Sequence, residues 1–462
     1  MSEAYELKEK IKDFLEIRDF KSLKNHLLEQ NPVDIAEVMD DFGDKEFSLC
    51  FRLLTKELAA EVFVNMDSDR QKLLIDGLSD AKLKEILDEI CPDDAADLVG
   101  EMPASVVSRI LKHTDPETRE AINAILLYPK NSVGSIMTTE YISLRRDMTV
   151  AEAIAKIRRV GVDKETVYTC YVTEKRKLVG VISVRAILIA GDDEILENLM
   201  TTECISVLTT DDREVAVEKI GKYGFLAIPV LDTEERIVGI VTVDDAMDVM
   251  ETEASEDIAQ MAAILPSEKP YLKTSAVRLW LSRIPWLLLL MISATLTSKI
   301  ISSYETALAA CAVLTAFIPM IMGTGGNAGG QASVTIIRGL SLDEIRLSDT
   351  LWVVWKELRV SLLCGLTLAP FAFLKVMYLD GLWREPDGIR VSLIVSATLF
   401  LVVISAKLVG CLLPLIVKAI RLDPAVVANP FITTVVDALA LVVYFALASR
   451  LIPALAAGAL PV

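Results

Sequence analysis

Five long apolar segments, at 279–301, 306–337, 351–379, 391–417 and 426–452, dominate the C-terminal part of the sequence. Each is long enough to cross a hydrocarbon layer ~30 Å thick, which takes about 20 helical residues. Inside such a layer every backbone N–H and C=O needs a partner within the protein, so this part of the chain is restricted to packed helices. The second segment is unusual. From Ile318 to Gln331 it carries five glycines, Pro319, Asn327 and Gln331. Two readings fit: a patch of small residues where helices pack closely, or a broken helix lining a conduction path. A phosphate-binding loop does not fit, because no Gly-Lys-Ser/Thr follows.

Charge divides the chain at the same place. Residues 271–462 hold 15 Lys and Arg against 10 Asp and Glu, whereas residues 1–270 hold 32 against 55, and the whole carries -18. The first part therefore reads as soluble and acidic, the second as membrane-embedded. The opening residues 1–19 are charged and lack the apolar core of a signal peptide, which predicts that the acidic part stays in the cytoplasm. Arg278 and Arg283 stand at the start of the first apolar segment. Arg338 and Arg346 fall between the second and third, with Lys356 and Arg359 at the start of the third, and Lys418 and Arg421 fall between the fourth and fifth. The positive-inside rule places these stretches on the cytoplasmic side, and five spans put the C-terminus outside the inner (plasma) membrane.

Seven cysteines without C-x-x-C spacing argue against a zinc module or a disulfide framework. With only His26 and His113 besides, the chain has little soft ligand to offer zinc, nickel or copper. A metal handled here is expected to be a hard cation held by oxygen. Histidine scarcity, and the lack of a nucleophile–base set, also weigh against an enzyme. Nothing points to nucleic acid.

Residues 1–130 read as short amphipathic helices, among them 34–42, 56–66, 69–78, 80–90, 93–102 and 104–113, separated by turns such as Asn-Pro and Cys-Pro-Asp-Asp. Each is too short to stand alone, so stacked pairs forming a superhelix are expected. Carboxylates recur at the helix starts, where capping explains them. Asp93 and Asp97, four apart, share one helical face.

Residues 131–250 repeat. Met-Thr-Thr-Glu occurs at 137–140 and again at 200–203, and Leu-Val-Gly-Val-Ile-Ser-Val at 178–184 returns as Ile-Val-Gly-Ile-Val-Thr-Val at 237–243. A unit of about 60 residues thus occurs twice, with the order strand, helix, strand, Gly-centred turn, strand, helix. The pattern resembles a tandem pair of CBS domains, which implies an α/β nucleotide or ligand sensor. The ribose- and phosphate-holding element of such copies falls on Gly239, Thr242 and Asp245. The first copy has Gly180 and Ser183 but Ala186 in place of the acid. Helix capping is the other role open to these side chains.

A helix is expected over 244–260. Asp245, Asp248, Glu251, Glu253, Glu256 and Asp257 load it with negative charge just before the membrane, where positive charge is usual. It is either a solvated acidic helix or one face of a divalent-cation site. At an effective dielectric near 20, two carboxylates about 4 Å apart repel by roughly 4 kcal/mol.

Inside the fifth apolar segment lies Asp437, and Asn429, Thr433 and Asp437 share a helical face. A carboxylate within a span is a functional candidate, unless it is paired, here with Lys407 of the fourth segment. Mg²⁺ gives up water reluctantly. A pore for its hydrated form would use a carboxylate with amide, hydroxyl and carbonyl oxygens, the types supplied by Asp437, Asn429, Asn327, Gln331 and Thr433.

Taken in order, an acidic helical domain (1–130), a CBS pair (131–250), a connecting plug helix (251–275) and a five-helix transmembrane domain (276–462) resemble the MgtE family of magnesium channels. The specific marks are Gly-Thr-Gly-Gly-Asn-Ala-Gly-Gly-Gln at 323–331 with Ile-Ile-Arg at 336–338, and the stretch from Asp423 to Asp437. The resemblance implies a multidomain membrane protein that forms a homodimer in the lipid bilayer. It implies one pore, with Asp437 of each subunit around a hydrated Mg²⁺ near Asn327 and the carbonyls of Ala428 and Asn429. It implies a gate that cytosolic Mg²⁺ shuts by bridging Asp93, Asp97, Asp245, Asp248, Glu253, Glu256 and Asp257, with Glu61, Asp212 and Glu214; position 213, inside that last group, is Arg. It also implies ATP, an adenine nucleotide, at the CBS pair, through Thr242, Asp245 and Ser183. The other readings are an ion-coupled carrier for Mg²⁺, Co²⁺ or Mn²⁺, in which Lys407 and Asp437 form a proton or sodium site, and a membrane-anchored nucleotide sensor.

Overall fold

The computed structural model describes residues 3–266, 271–305, 312–342, 344–385, 387–427 and 429–451. It divides into two compact units, Met1–Glu251 and Thr252–Val462.

The first unit opens with ten short helices: α1 (Glu3–Glu16), α2 (Phe20–Leu27), α3 (Pro32–Asp40), α4 (Asp44–Leu53), α5 (Lys56–Val64), α6 (Ser68–Gly77), α7 (Asp80–Leu87), α8 (Pro92–Glu101), α9 (Ala104–His113) and α10 (Pro116–Ile125). Their starts are set by local chemistry. Asp19, Asn31 and Ser79 accept hydrogen bonds from the N–H groups of Ser22, Val33 and Lys82, satisfying donors that a helix leaves open. Proline opens α3 and α8, where its missing N–H loses nothing. The odd-numbered helices α1, α3, α5, α7 and α9 pack each on the next, so the row is a superhelix around a core containing Ile35, Met39, Phe47, Phe51 and Phe63. Two arginines close helix C-termini in the same way. Arg70 donates to the carbonyls of Asp40 and Phe42 and pairs with Asp44, and Arg109 donates to those of Ile75 and Leu78 and pairs with Asp80.

Two three-stranded sheets follow. The first has β1 (Ile142–Leu144) parallel to β2 (Thr169–Glu174), which runs antiparallel to β3 (Lys177–Ser183). The second repeats this with β4 (Val207–Leu208), β5 (Ala227–Leu231) and β6 (Ile237–Thr242). Helices α11 (Val150–Val160), α12 (Val184–Ile189) and α13 (Arg213–Tyr223) complete the pair. The repeated glycines do not form the turns, as the sequence suggests. Gly180 and Gly239 lie inside β3 and β6, and the first turn is made by Lys175 and Arg176 at positive φ. The glycines are needed because a methionine crosses them. A Cβ on Gly180 would lie 2.6 Å from Met200 Sδ, and one on Gly239 2.9 Å from Met137 Sδ and 2.7 Å from the Thr138 carbonyl. Thr138 bridges to Ile240, and Thr201 to Val181. The two repeated motifs are therefore the two sides of one contact, made twice.

Helix α14 (Val243–Met261) begins directly after β6 within the first unit and ends in the second, close to the helix expected over 244–260.

The second unit holds α15 (Ala276–Ser303), α16 (Ile318–Ser341), α17 (Thr350–Leu374, continued by a π-helical turn Lys375–Leu379), α18 (Gly388–Ala419) and α19 (Asn429–Leu451). Among the described residues, four helices are long and apolar enough to cross a membrane: α15, α17 with its flanking turns, α18 and α19. Helix α16 is diluted by its glycines and polar residues and is held by packing against α18 and α19. It is not broken. The helix runs without interruption through all five glycines, Pro319 sits in its first turn, and the irregular backbone lies upstream in a 3₁₀ stretch, Ala312–Phe317. The glycines serve close approach: Gly325 faces Val402 and Val436, Gly326 faces Thr433, and Gly329 faces Ile432 and the Ala406 carbonyl. Tyr444 of α19 donates to the Leu314 carbonyl at 2.9 Å, and Tyr304 stacks on Phe445.

Candidate functional site

Helix α8 starts Cys-Pro-Asp-Asp, an N-terminus where carboxylates meet the positive end of the helix dipole. Asp97 follows one turn later on the same face. The start of α14 contributes Asp244, Asp245 and Asp248, and the loop before β2 contributes Glu165. These side chains share one electrostatic neighbourhood. Burial, then Asp94, Asp245 and Glu165, raises Asp93 to about 8. Burial, then Glu165, Asp97, Asp244 and Asp248, raises Asp94 to about 6. Asp97 rises to about 6 through burial and Glu101, against the opposing pull of Arg213. Asp245 rises to about 7 through burial, partly offset by its hydrogen bond from Thr242, with Asp244, Glu165 and Asp94 adding to it. Asp248 is raised by burial, Asp244 and Glu251. Carboxylates crowded this way resist ionisation until a cation is supplied.

A second acidic group lies within the second unit. Burial, then Asp423, Glu253 and Glu256, raises Asp257. Glu256 accepts a hydrogen bond from Gln260 at 2.9 Å.

Several expected residues have other occupations. Asp212 caps α13 by accepting from the Glu214 N–H at 3.0 Å, and Glu214 is exposed. Glu61 is exposed on α5, its backbone carbonyl taken by Asn65. Ser183 caps α12 through the Ala186 N–H, and Thr242 donates to Asp245 at 2.5 Å. Capping thus explains Ser183, and Asp245 stands in the acidic group. Asp94, Glu165, Asp244 and Asp423 were not singled out from sequence. The first and third adjoin residues that were; Glu165 and Asp423 sit in loops, where no periodicity marks them.

Within the membrane helices, Asp437 on α19 is half-buried, and its Oδ1 is buried without a hydrogen-bond partner. The alternative open to Asp437, a pairing with Lys407, is not made. Lys407, 6 % exposed, is paired with Glu357 of α17 at 3.5 Å, because α17 rather than α19 covers that face of α18. One turn before Asp437, Thr433 packs against Gly326 of α16. The buried face of α16 holds Gly325, Gly326, Ala328, Gly329, Ala332 and Ser333; the opposite face leaves Gly323, Asn327, Gln331 and Thr335 exposed. Ala428 lies outside the described residues. Asn429 opens α19, and its side chain lies outside them also.

An acidic helical domain and a CBS pair in the same chain as a set of apolar helices with a carboxylate among them define the class: a membrane transport protein. The chain belongs to the MgtE family. Residues 318–447 match the family's divalent cation transporter domain, residues 30–131 the MgtE intracellular N domain, and residues 133–193 and 196–252 two CBS domains. It is 35 % identical to a magnesium transporter MgtE of Thermus thermophilus, over 96 % of this chain and 98 % of that one, and 30 % identical to one of Bacillus subtilis over 95 % of each. The solved cytosolic domain of the Mg²⁺ channel MgtE in complex with ATP is 33 % identical, covering 52 % of this chain and 99 % of that one at a TM-score of 0.50. The soluble part of a magnesium transporter is 28 % identical over 55 % of this chain and all of that one, at a TM-score of 0.51.

Proposed function

We propose that the chain carries Mg²⁺ across the inner membrane through a path bordered by α16 and α19, and that Mg²⁺ on the acidic groups of α8 and α14 shuts that path. The observation that carries the reading is Asp437 Oδ1, buried without a partner, together with a polar stripe of α16 that a single chain leaves uncovered. A polar stripe facing lipid is unfavourable. A homodimer whose two copies of α16 and α19 enclose a water-filled path supplies its cover. Asp437, Asn327 and the backbone at Ala428 and Asn429 then meet the hydrated ion, with Asp437 in the lead.

Gating follows from the acidic groups. Asp93, Asp97, Asp245 and Asp248 repel one another when ionised, and so do Glu253, Glu256 and Asp257 further along α14. A cation that binds them only in the closed arrangement stabilises that arrangement by its differential affinity. Glu61, Asp212 and Glu214 take outlying roles. The division at 130, 250 and 275 into helical domain, CBS pair, connecting helix and transmembrane domain belongs to this reading, as do a cytoplasmic N-terminus and an external C-terminus. Adenine nucleotide binding near Thr242 is supported by the ATP complex of the relative. The ion-coupled carrier built on a Lys407–Asp437 pair loses support, since Lys407 holds Glu357 instead.

The test is uptake into vesicles by wild type and Asp437→Ala, at matched protein. Loss of at least ten-fold in Mg²⁺ flux is expected in the variant. Undiminished flux there removes Asp437 from the path.

A further inference from the structure

Among the described residues, one group of side chains brings a sulfur together with carboxylates closely enough to hold a metal ion: Cys91, Asp93 and Glu165, whose ligand atoms all lie within 4.8 Å of one another. The three come from the residue before α8, from its first turn, and from the loop before β2. Cys91 Sγ–H donates to Glu165 Oε2 at 3.0 Å. Asp93 is only 8 % exposed, and its Oδ1 is buried with no hydrogen-bond partner. Cys91 is half-buried and Glu165 is exposed, so the group opens to solvent on the glutamate side.

We propose that Cys91, Asp93 and Glu165 form a binding site for a borderline divalent transition cation of the Zn²⁺ or Co²⁺ class. Hard Mg²⁺ gains nothing from sulfur, whereas a thiolate with two carboxylates suits ions that accept mixed S and O ligands. Three protein ligands leave the fourth tetrahedral position to water, on the open glutamate side. Ligand atoms ~2.0–2.3 Å from one ion lie about 3.3–3.8 Å apart, which small rotations of Glu165 and Cys91 bring within reach. Binding replaces the S–H···O bond by two metal bonds and releases the thiol proton to solvent. The orphaned Asp93 oxygen then gains the partner that the folded chain does not give it. The proposal touches the magnesium reading only through Asp93. Cys91→Ser leaves every carboxylate in place, so the two fail separately.

The test uses the full chain in detergent, with Mg²⁺ removed, titrated with Co²⁺ and then Zn²⁺. A thiolate-to-cobalt charge-transfer band that saturates at one Co²⁺ per chain and is displaced by Zn²⁺ is expected. Cys91→Ser should abolish the band and weaken Zn²⁺ at least ten-fold while leaving the Mg²⁺ response of flux unchanged. Glu165→Gln should keep the band and weaken Zn²⁺ several-fold. No band in the wild type, or a band of equal strength in Cys91→Ser, overturns the proposal.

Discussion

Gly410 of α18 lies against Gly329 of α16 so closely that a methyl group built on Gly410 would sit 2.2 Å from the Gly329 carbonyl oxygen and 2.9 Å from its carbon. Two backbones touch here with no side chain between them, and the obstacle is a peptide group that cannot rotate away. Gly410→Ala should therefore push α16 off α18 and lower stability by ~1–3 kcal/mol, the usual range for overpacking. Gly323→Ala is the comparison, because a Cβ there meets nothing within 4 Å. Thermal unfolding in detergent should separate the two variants, and equal midpoints would contradict the close crossing.

The acidic group makes the cation-free protein sensitive to alkali. Burial and mutual repulsion raise Asp93, Asp94, Asp97 and Asp245 to about 8, 6, 6 and 7, from 3.8. Between those values the folded chain holds protons that the unfolded chain has released, so stability falls as pH rises through this window. With chelator present, the unfolding temperature of the full chain should drop from pH 5.5 to pH 8 by about 5 °C or more. Mg²⁺ should restore more at pH 8 than at pH 5.5, since protons compete with it. A Mg²⁺ increment that is as large at pH 5.5 counts against these carboxylates as its ligands.

Lys407 and Glu357 make a buried pair between α18 and α17, and such pairs respond asymmetrically to mutation. Removing one partner leaves a lone charge and costs ~3–5 kcal/mol, while replacing both by neutral groups is often close to harmless. Lys407→Met alone should lower the unfolding temperature markedly, and Lys407→Met with Glu357→Gln should recover most of the loss. Flux retained in the double variant would place the pair in the scaffold; flux abolished there would give it a part in conduction.

Much of this architecture is legible in the sequence, because its signals are periodic. Helical spacing and Pro or Asp punctuation place α3 and α5 to α9 within a few residues, and the duplicated motifs mark the CBS pair. The glycine-rich segment illustrates what periodicity misses. Glycine disfavours an isolated helix by about 1 kcal/mol per residue, yet α16 is continuous, because in hydrocarbon its backbone must be satisfied and its neighbours need the room. Partnership between distant residues is equally hidden. Nothing near Lys407 indicates that α17, not α19, supplies its counter-ion, and Cys91 and Glu165 are 74 positions apart.

The methionine crossings carry a consequence for signalling. Residues at the start of the first repeat lie on the second repeat's last strand, and residues at the start of the second lie on the first's. Neither half can be cut out whole: a break in the linker near residue 194 would leave each sheet short of a segment that the other fragment retains. The pair is thus a reciprocal clasp, and loosening either end loosens both. Helix α14, which grows directly out of the clasped strand β6, starts from the place where both copies are tied.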